Sequence, residues 1–180
     1  MLDTKLNDEA ARLAALGRYE ILDTPPEPAF DRITQLVRSI LGVPMSVVSL
    51  IDGDRQWFKS RTGIDATETP RDIAFCNHTI RDRVPMVVPD ACSDQRFSSN
   101  PLVTGDPNIR SYAGVPLATP DGYNVGTLCA IDTVPREFDP GQIAILENLG
   151  ALVVEQLELR RIAERDHLSG ALTRRAFVAE

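Results

Sequence analysis

The sequence predicts an α+β fold, with a central antiparallel sheet of five to six strands flanked by helices and long helices towards both ends. Three observations predict it. The apolar period is helical before Gly42, becomes strand-like from Met45, and is helical again after Asp139. Between the strand-like runs lie short turns such as Asp52-Gly53-Asp54 and Pro120-Asp121-Gly122, the connections of hairpins. At 180 residues, 43% hydrophobic and 25% charged, the chain holds one sizeable core with extensions, not two large domains.

The elements follow in order. Residues 8–16 set Leu13 and Leu16 at helical spacing, with Gly17 as the stop. Thr24-Pro25-Pro26-Glu27 has the spelling of a capping box, and it opens a helix whose Phe30, Ile33, Val37 and Ile40 share one face. Gly42 and Pro44 end it. Met45–Ile51 is mostly apolar and β-branched, as a strand covered on both faces must be. The turn at residues 52–54 leads into a second strand over residues 55–61, alternating around Trp57 and Lys59. Residues 67–72 read as loop and 73–83 contain a short helix. Residues 86–89 are a brief strand ended by Pro89. Residues 91–108, rich in Ser, Asn, Asp and Pro, form the longest loop, and loops of that length on a rigid scaffold often carry ligand or lid residues. Residues 111–117 and 125–131 are strands, and 139–165 are one long helix.

The totals exclude several classes. Net charge is −7, and no Lys/Arg cluster precedes the last twenty residues, so a phosphate-binding surface for nucleic acid is not expected. The N-terminus is polar and acidic, unlike a secretory signal, and no apolar run approaches the length of a membrane span. Three widely spaced cysteines, Cys76, Cys92 and Cys129, fit free thiols in a reducing cytoplasm, and the lack of any CxxC pair argues against structural zinc. No G-x-S-x-G, Walker loop or G-x-G-x-x-G occurs.

Specific stretches go further. Residues 20–27 (EILDTPPE), 49–52 (SLID), 75–80 (FCNHTI), 88–91 (VPDA), 94–97 (DQRF), 112–117 (YAGVPL) and 126–132 (GTLCAID) resemble, in order and spacing, the GAF family of small-molecule-sensing domains. That resemblance implies a regulatory binding module related in architecture to PAS domains, covering residues 20–160. A second stretch, residues 166–177 (DHLSGALTRRAF), resembles the D-x-L-T-G-x-x-N-R-R-x-F opening of a GGDEF diguanylate cyclase domain, with Ser169 and Thr173 departing from it. The GG(D/E)EF signature itself is absent from the 180 residues, so the chain is not expected to be an enzyme alone. The expected organisation is an N-terminal helix and lead-in at 1–22, a GAF domain at 23–160, and at 161–180 the end of a linker helix and the start of an output domain continued in a longer protein.

The ligand-pocket candidates are Trp57, Arg71, Cys76, His78, Arg96 and Tyr112, expected between the strand face bearing Trp57 and Tyr112 and the segment from 71 to 96. Each has a blander reading: the aromatics as core, the arginines paired with Asp72 or Asp94, Cys76 as a small apolar filler and His78 holding a local hydrogen bond. No cofactor is named by the residues, and no metal site is expected, because Cys76 and His78 would need further ligands nearby in space and the chain has only two histidines, His78 and His167. The three cysteines would also serve a small thiol-based redox enzyme similar to the GAF-fold free methionine sulfoxide reductases, the principal alternative; a ligand-free dimerisation module is the other.

The terminal helix supplies the last clue. Ile145, Leu149, Leu152, Gln156, Leu159 and Ala163 recur in alternating steps of four and three, a heptad seam with one polar member. Leu146, Gly150, Val153 and Leu157 form a second stripe beside it. One stripe would cover the sheet and the other meet a second copy, giving a parallel homodimer through Leu152, Gln156, Leu159 and Ala163. The expectation is thus a cytoplasmic sensor, its small-molecule ligand unnamed, that controls a following output domain through a dimeric helix.

Overall fold

In a computed structural model, which describes residues 2–177 and side chains through Asp166, six antiparallel strands form one sheet in the order β3-β2-β1-β6-β5-β4. The strands are β1 (Met45–Ile51), β2 (Arg55–Thr62), β3 (Glu68–Pro70), β4 (Met86–Val88), β5 (Ser111–Ala118) and β6 (Asn124–Asp132). The central pair, β1 and β6, is buried at every position, as its apolar runs require. Residues 67–72, expected as loop, contribute the edge strand β3, whose Glu68, Thr69 and Pro70 pair with Trp57, Gln56 and Arg55. A three-residue strand ending in proline carries too little periodicity to be read from sequence.

Helices α1 (Glu9–Gly17), α2 (Pro28–Leu41) and α5 (Pro140–Phe177) lie on one face of the sheet. Period-two alternation divides β1 between two cores: Val48 and Leu50 meet these helices, while Met45, Val47 and Ile51 meet the other cover. That cover is built from α3 (Phe75–Thr79), α4 (Pro101–Thr104) and the segments around them.

Local chemistry explains the helix ends, with two corrections. Thr24 does not cap α2: its hydroxyl donates to the Ile21 carbonyl, the N-cap is Glu27 without a side-chain bond, and Pro28 takes the first turn. The reciprocal box occurs instead at α5, where the Asp139 carboxylate accepts from the Gln142 N–H at 2.8 Å and the Gln142 side chain accepts from the Asp139 N–H at 3.0 Å. On α2 the buried face is Phe30, Ile33, Thr34, Val37 and Leu41, and Ile40 is exposed, because a 3.6-residue period carries the stripe to 41. Gly42 ends α2 at φ +67°, the left-handed geometry glycine adopts without steric cost.

α5 is continuous beyond the expected residue 165 as far as Phe177, through a stretch of helix-forming Ala, Leu and Arg that contains no proline. The side chains of the GGDEF-like stretch, from His167 onward, lie outside the described residues. α5 packs closely on β5 because Gly150 has no side chain; a Cβ there would sit 2.8 Å from Val115 Cγ2. Leu146, Val153 and Leu157 are buried beside it, whereas Leu152 and Leu159 are 44% and 58% exposed. The two stripes thus separate only from Leu152 onward, since Leu149 of the heptad seam is buried in the core and Ile145 packs against it.

One irregularity re-aims side chains. Val48 pairs with Ser60 but Ser49 with Phe58, so Lys59 is an extra residue in β2, a β-bulge. Lys59 and Ser60 consequently both reach the α2 side. Ser60 Oγ donates to Asp31 at 2.6 Å and contacts Thr34 Oγ1 at 2.9 Å. Lys59 Nζ donates to Thr24 Oγ1 at 2.8 Å and to the Pro25 carbonyl at 2.6 Å, and also pairs with Glu27.

Candidate functional site

On the face away from α5, a partly enclosed cavity of about 220 Å³ lies between the sheet and its cover. Its floor is Val47 of β1, Gln56 and Phe58 of β2, Tyr112 of β5 and Ile131 of β6. Two segments roof it: residues 63–66 leading to β3, with Phe75 and Cys76 behind them, and Leu102, Asp106, Pro107 and Ile109 from the long loop and α4. The long loop at residues 91–108 thus contributes Leu102, Asp106 and Pro107 to the cavity wall.

The six candidates divide. Cys76 and Tyr112 line the cavity. Trp57 does not: it is buried on the opposite face among the α1, α2 and α5 contacts, because neighbouring residues of a strand point to opposite sides and Phe58 takes the cavity side. Arg71 is a structural clamp. Its Nε donates to Asn77 Oδ1 at 2.9 Å and its Nη1 to the Asp52 carbonyl at 3.1 Å, and it pairs with Glu9, not with Asp72. Arg96 pairs with Asp94 at 2.7 Å and lies over the Phe97 ring at 5.1 Å. His78 meets the edge of Phe97 at 4.9 Å, and burial, then the nearby Arg81 and Arg96, lower its pKa. Among the described residues no arginine or histidine borders the cavity, which lies between the Tyr112 face and residues 63–66, Phe75, Cys76 and 102–109; Trp57 and the rest of the 71–96 segment are not part of it.

The residues missed are as informative. Gln56 is buried, donates Nε2 to Thr69 Oγ1 at 3.0 Å, and has no protein partner for its Oε1. It lines the cavity with the apolar Phe58, Phe75, Ile109 and Ile131 and the polar Thr69 and Tyr112. Two exposed carboxylates, Asp65 and Asp106, stand at its rim. Gln56 and Phe58 were within reach of the sequence: once Trp57 faces the helices, both its neighbours must face the other way.

Behind the cavity wall, two hydroxyl relays converge on one sulfur. The Thr127 hydroxyl donates to Cys76 Sγ at 2.9 Å and is itself 2.9 Å from Ser49 Oγ. From the other side Tyr112 OH donates to Cys76 Sγ at 3.3 Å and is 2.8 Å from Thr79 Oγ1. Cys129 Sγ lies 4.0 Å from Cys76 Sγ. Burial alone pushes the Cys76 thiol up, but donors from Cys129, Ser49, Thr127 and Tyr112 outweigh it and bring the pKa to about 7. Burial and the neighbouring Cys76 hold Cys129 well above the usual thiol range. Cys92 lies apart and exposed, so the fold gathers two of the three cysteines. Among the described residues, no three His, Cys, Asp or Glu side chains gather as a metal site, and no helix is long and apolar enough to cross a membrane.

A sheet of this order with helices on one face and a covered cavity on the other defines a class of small sensor-type domains, and the sequence matches the model of the GAF domain over residues 25–157. The chain belongs to the GAF domain family. It is 37% identical, over 155 residues, to a Pseudomonas aeruginosa protein named as a cyclic di-GMP phosphodiesterase; the match covers 86% of this chain and 26% of that protein. This chain therefore spans about a quarter of that relative's length. Among solved structures, the fold is similar to the GAF domain of an Acinetobacter phosphoenolpyruvate-protein phosphotransferase, with TM-score 0.62, 17% identity, and 88% and 95% of the two chains covered. It is also similar to the free methionine-R-sulfoxide reductase of Neisseria meningitidis solved with its substrate, with TM-score 0.63, 20% identity, and 87% and 94% covered.

Proposed function

We propose that this chain is the sensory domain of a longer signalling protein and that the cavity over Phe58 and Tyr112 holds its small-molecule ligand. One observation carries the reading: a partly enclosed cavity is walled by Phe58, Phe75, Ile109, Ile131 and Tyr112, and its lining includes the buried Gln56, whose Oε1 has no protein partner. A buried amide oxygen left unpaired costs about 1–3 kcal/mol, and a ligand N–H or O–H would relieve that cost once a rotation of the Gln56 side chain turned its oxygen to the cavity. Among the described residues no lysine or arginine lines the cavity, while Asp65 and Asp106 stand at its edge. A neutral or cationic donor with an apolar body fits; an anion such as a cyclic nucleotide does not.

Signal leaves through β2. Phe58 touches the ligand space, and its neighbour Lys59 pairs with Glu27, which in turn holds Arg160 of α5. Occupancy that shifts β2 would shift the exit helix. The GGDEF-like stretch at residues 166–177 and the Pseudomonas relative both favour an output that makes or degrades cyclic di-GMP in the longer protein.

Native mass spectrometry of freshly purified protein, followed by thermal-shift screening of small neutral, cationic and anionic compounds, tests the pocket. The expected result is a retained molecule or a stabilising neutral or cationic compound whose effect is lost in Gln56→Leu. Stabilisation by anions only, or by none of the compounds with nothing retained, would overturn the reading.

A further inference from the structure

The GAF pocket reading leaves unused the most unusual chemistry in the domain, the pair of buried thiols behind the cavity wall. Cys76 is 3% exposed and borders the cavity, whereas Cys129 is completely buried in β6 and does not. Their sulfurs are 4.0 Å apart. A small molecule in the cavity therefore meets Cys76 first and reaches Cys129 only through it. A thiol that is simply packing has no need of polar neighbours, yet the Thr127 and Tyr112 hydroxyls both donate to this one sulfur. Ser49 and Thr79 stand behind those hydroxyls and complete the two relays. Donors aimed at sulfur favour its anion, which is the nucleophile in thiol chemistry.

We infer that Cys76 and Cys129 form a peroxide-reactive dithiol, with Cys76 as the site of attack and Cys129 as the resolving thiol. The substrate class is a small uncharged hydroperoxide, including hydrogen peroxide, which a mixed apolar and polar cavity with no cation among the described residues admits. In the first step the Cys76 thiolate attacks one peroxide oxygen. An S–O bond forms as the O–O bond breaks, sulfur loses two electrons, and the departing alkoxide or hydroxide takes up a proton, leaving Cys76 as a sulfenic acid. In the second step the Cys129 sulfur attacks the Cys76 sulfur. The S–S bond forms, and the sulfenic hydroxyl leaves with the Cys129 proton as water. In total two thiols and one hydroperoxide give one disulfide, one alcohol (or water) and one water.

The geometry is compatible with the second step. A disulfide needs the sulfurs at about 2.05 Å, so they must approach by about 2 Å. Cys129 is fixed in a central strand, paired with Val47 on one side and Gly114 on the other, so the displacement falls on α3, a five-residue helix between irregular segments. Oxidation would draw α3 toward the sheet and alter the cavity wall that Phe75 and Cys76 form. The electrostatics agree with this division of roles: the thiol drawn down to about 7 is the one at the cavity, and the one held high is behind it. Tyr112 is the other titratable group against Cys76, and burial followed by the neighbouring cysteines keeps it protonated.

The test uses Cys92→Ser protein, which removes the exposed thiol without touching the pair. After titration with hydrogen peroxide, the expected product is lighter by two hydrogens, and its tryptic digest contains peptide 72–81 cross-linked to peptide 111–136. Dithiothreitol should reverse it. In Cys92→Ser/Cys129→Ser, peroxide should leave a dimedone-trappable sulfenic acid on Cys76; in Cys92→Ser/Cys76→Ser, Cys129 should remain a free thiol. Both thiols staying free in Cys92→Ser protein that melts cooperatively, or Cys129 oxidising without Cys76, would overturn the inference. No ligand is present in these measurements, so their failure leaves the sensory reading of the cavity standing, and a failed ligand screen leaves the dithiol standing.

Discussion

Arg160 of α5 donates Nε to Glu27 at 2.9 Å, and the carboxylate oxygen that accepts it also pairs with the buried ammonium of Lys59 on β2. Glu27 thus links a strand that floors the cavity to the helix that leaves the domain. Burial would raise its pKa, but Lys59 and then Arg160 outweigh burial and hold it below the ordinary glutamate value. The same region is tied a second time, by Tyr19 OH to Glu158 and by Arg160 Nη1 to the Tyr19 carbonyl at 2.9 Å.

Removing Glu27 should therefore do more than delete a surface charge. Lys59 has no side-chain exposure, so Glu27→Ala leaves a buried cation with two neutral acceptors. A loss of about 2–3 kcal/mol in urea unfolding is expected, below the usual ~3–5 kcal/mol for an orphaned buried charge, because Glu27 itself is partly in water. Arg160→Gln, which leaves Lys59 paired, should cost only about 1 kcal/mol. Hydrogen exchange should quicken in residues 155–166 of both variants. Equal losses for the two variants, with exchange unchanged in α5, would show that Glu27 is not a link.

How much of this was legible beforehand depended on the range of the interaction. The strands β1, β5 and β6 announce themselves because their partners cover both faces and demand unbroken apolar runs. Tyr112 and Cys76 were found, since they fall in stretches that resemble a known family. Trp57 was misplaced because alternation says that two neighbours face opposite ways, but not which of them faces the helices. The bulge at Lys59 depends on the register against β1, which only the paired strand reveals. Arg71 looked like a ligand contact because its partner Glu9 is 62 residues away.

A pH experiment isolates Glu9. It pairs with Arg12, which is buried, and with Arg71, and these two guanidinium groups lower its pKa from 4.5 to about 2, Arg12 having the larger effect. A carboxylate depressed on folding contributes stability that is full above pH 4.5 and is lost as pH falls towards 2. Glu9→Gln should be less stable than the parent by about 1 kcal/mol at pH 7, a figure discounted because nearly half the side chain faces water. The gap should close between pH 4.5 and 2. A difference between the two proteins that stays constant through that window would contradict the assignment.

Gly150 sets two effects against each other. In an exposed helix, Gly→Ala stabilises by about 1 kcal/mol. Here the new Cβ would meet Val115 Cγ2 at 2.8 Å, well inside van der Waals contact, in a packed layer. Crowding in a close-packed core costs about 1–3 kcal/mol, so the net effect of Gly150→Ala should be a lower melting temperature. The double variant Gly150→Ala/Val115→Ala should recover part of the helix gain, since the clashing methyl is gone. If Gly150→Ala alone raised the melting temperature, the close approach of α5 to β5 would not be setting this position.

The exposed stripe of α5 carries the last prediction, assembly. Leu146, Val153 and Leu157 are spent on the sheet, whereas Leu152, Leu159 and Ala163 are exposed and Gln156 is half-buried between them. Ile162 adds to the apolar surface with 54% exposure. Apolar side chains at heptad spacing gain from burial when two copies pair, about 25 cal/mol for each Å² removed from water, and a polar residue in the seam fixes register at some cost. A parallel homodimer is expected, with Leu152, Gln156, Leu159 and Ala163 across the seam, because in-register pairing sets each exposed apolar residue and Gln156 against its own copy. Leu159→Glu would put a charge into that seam, and its position in solvent means the monomer's own fold should be untouched. Light scattering should show a dimer for the parent and a monomer for Leu159→Glu, with the two circular-dichroism spectra superimposable. A monomeric parent, or a variant whose dimer resists dilution as well as the parent's, would exclude this stripe as the interface.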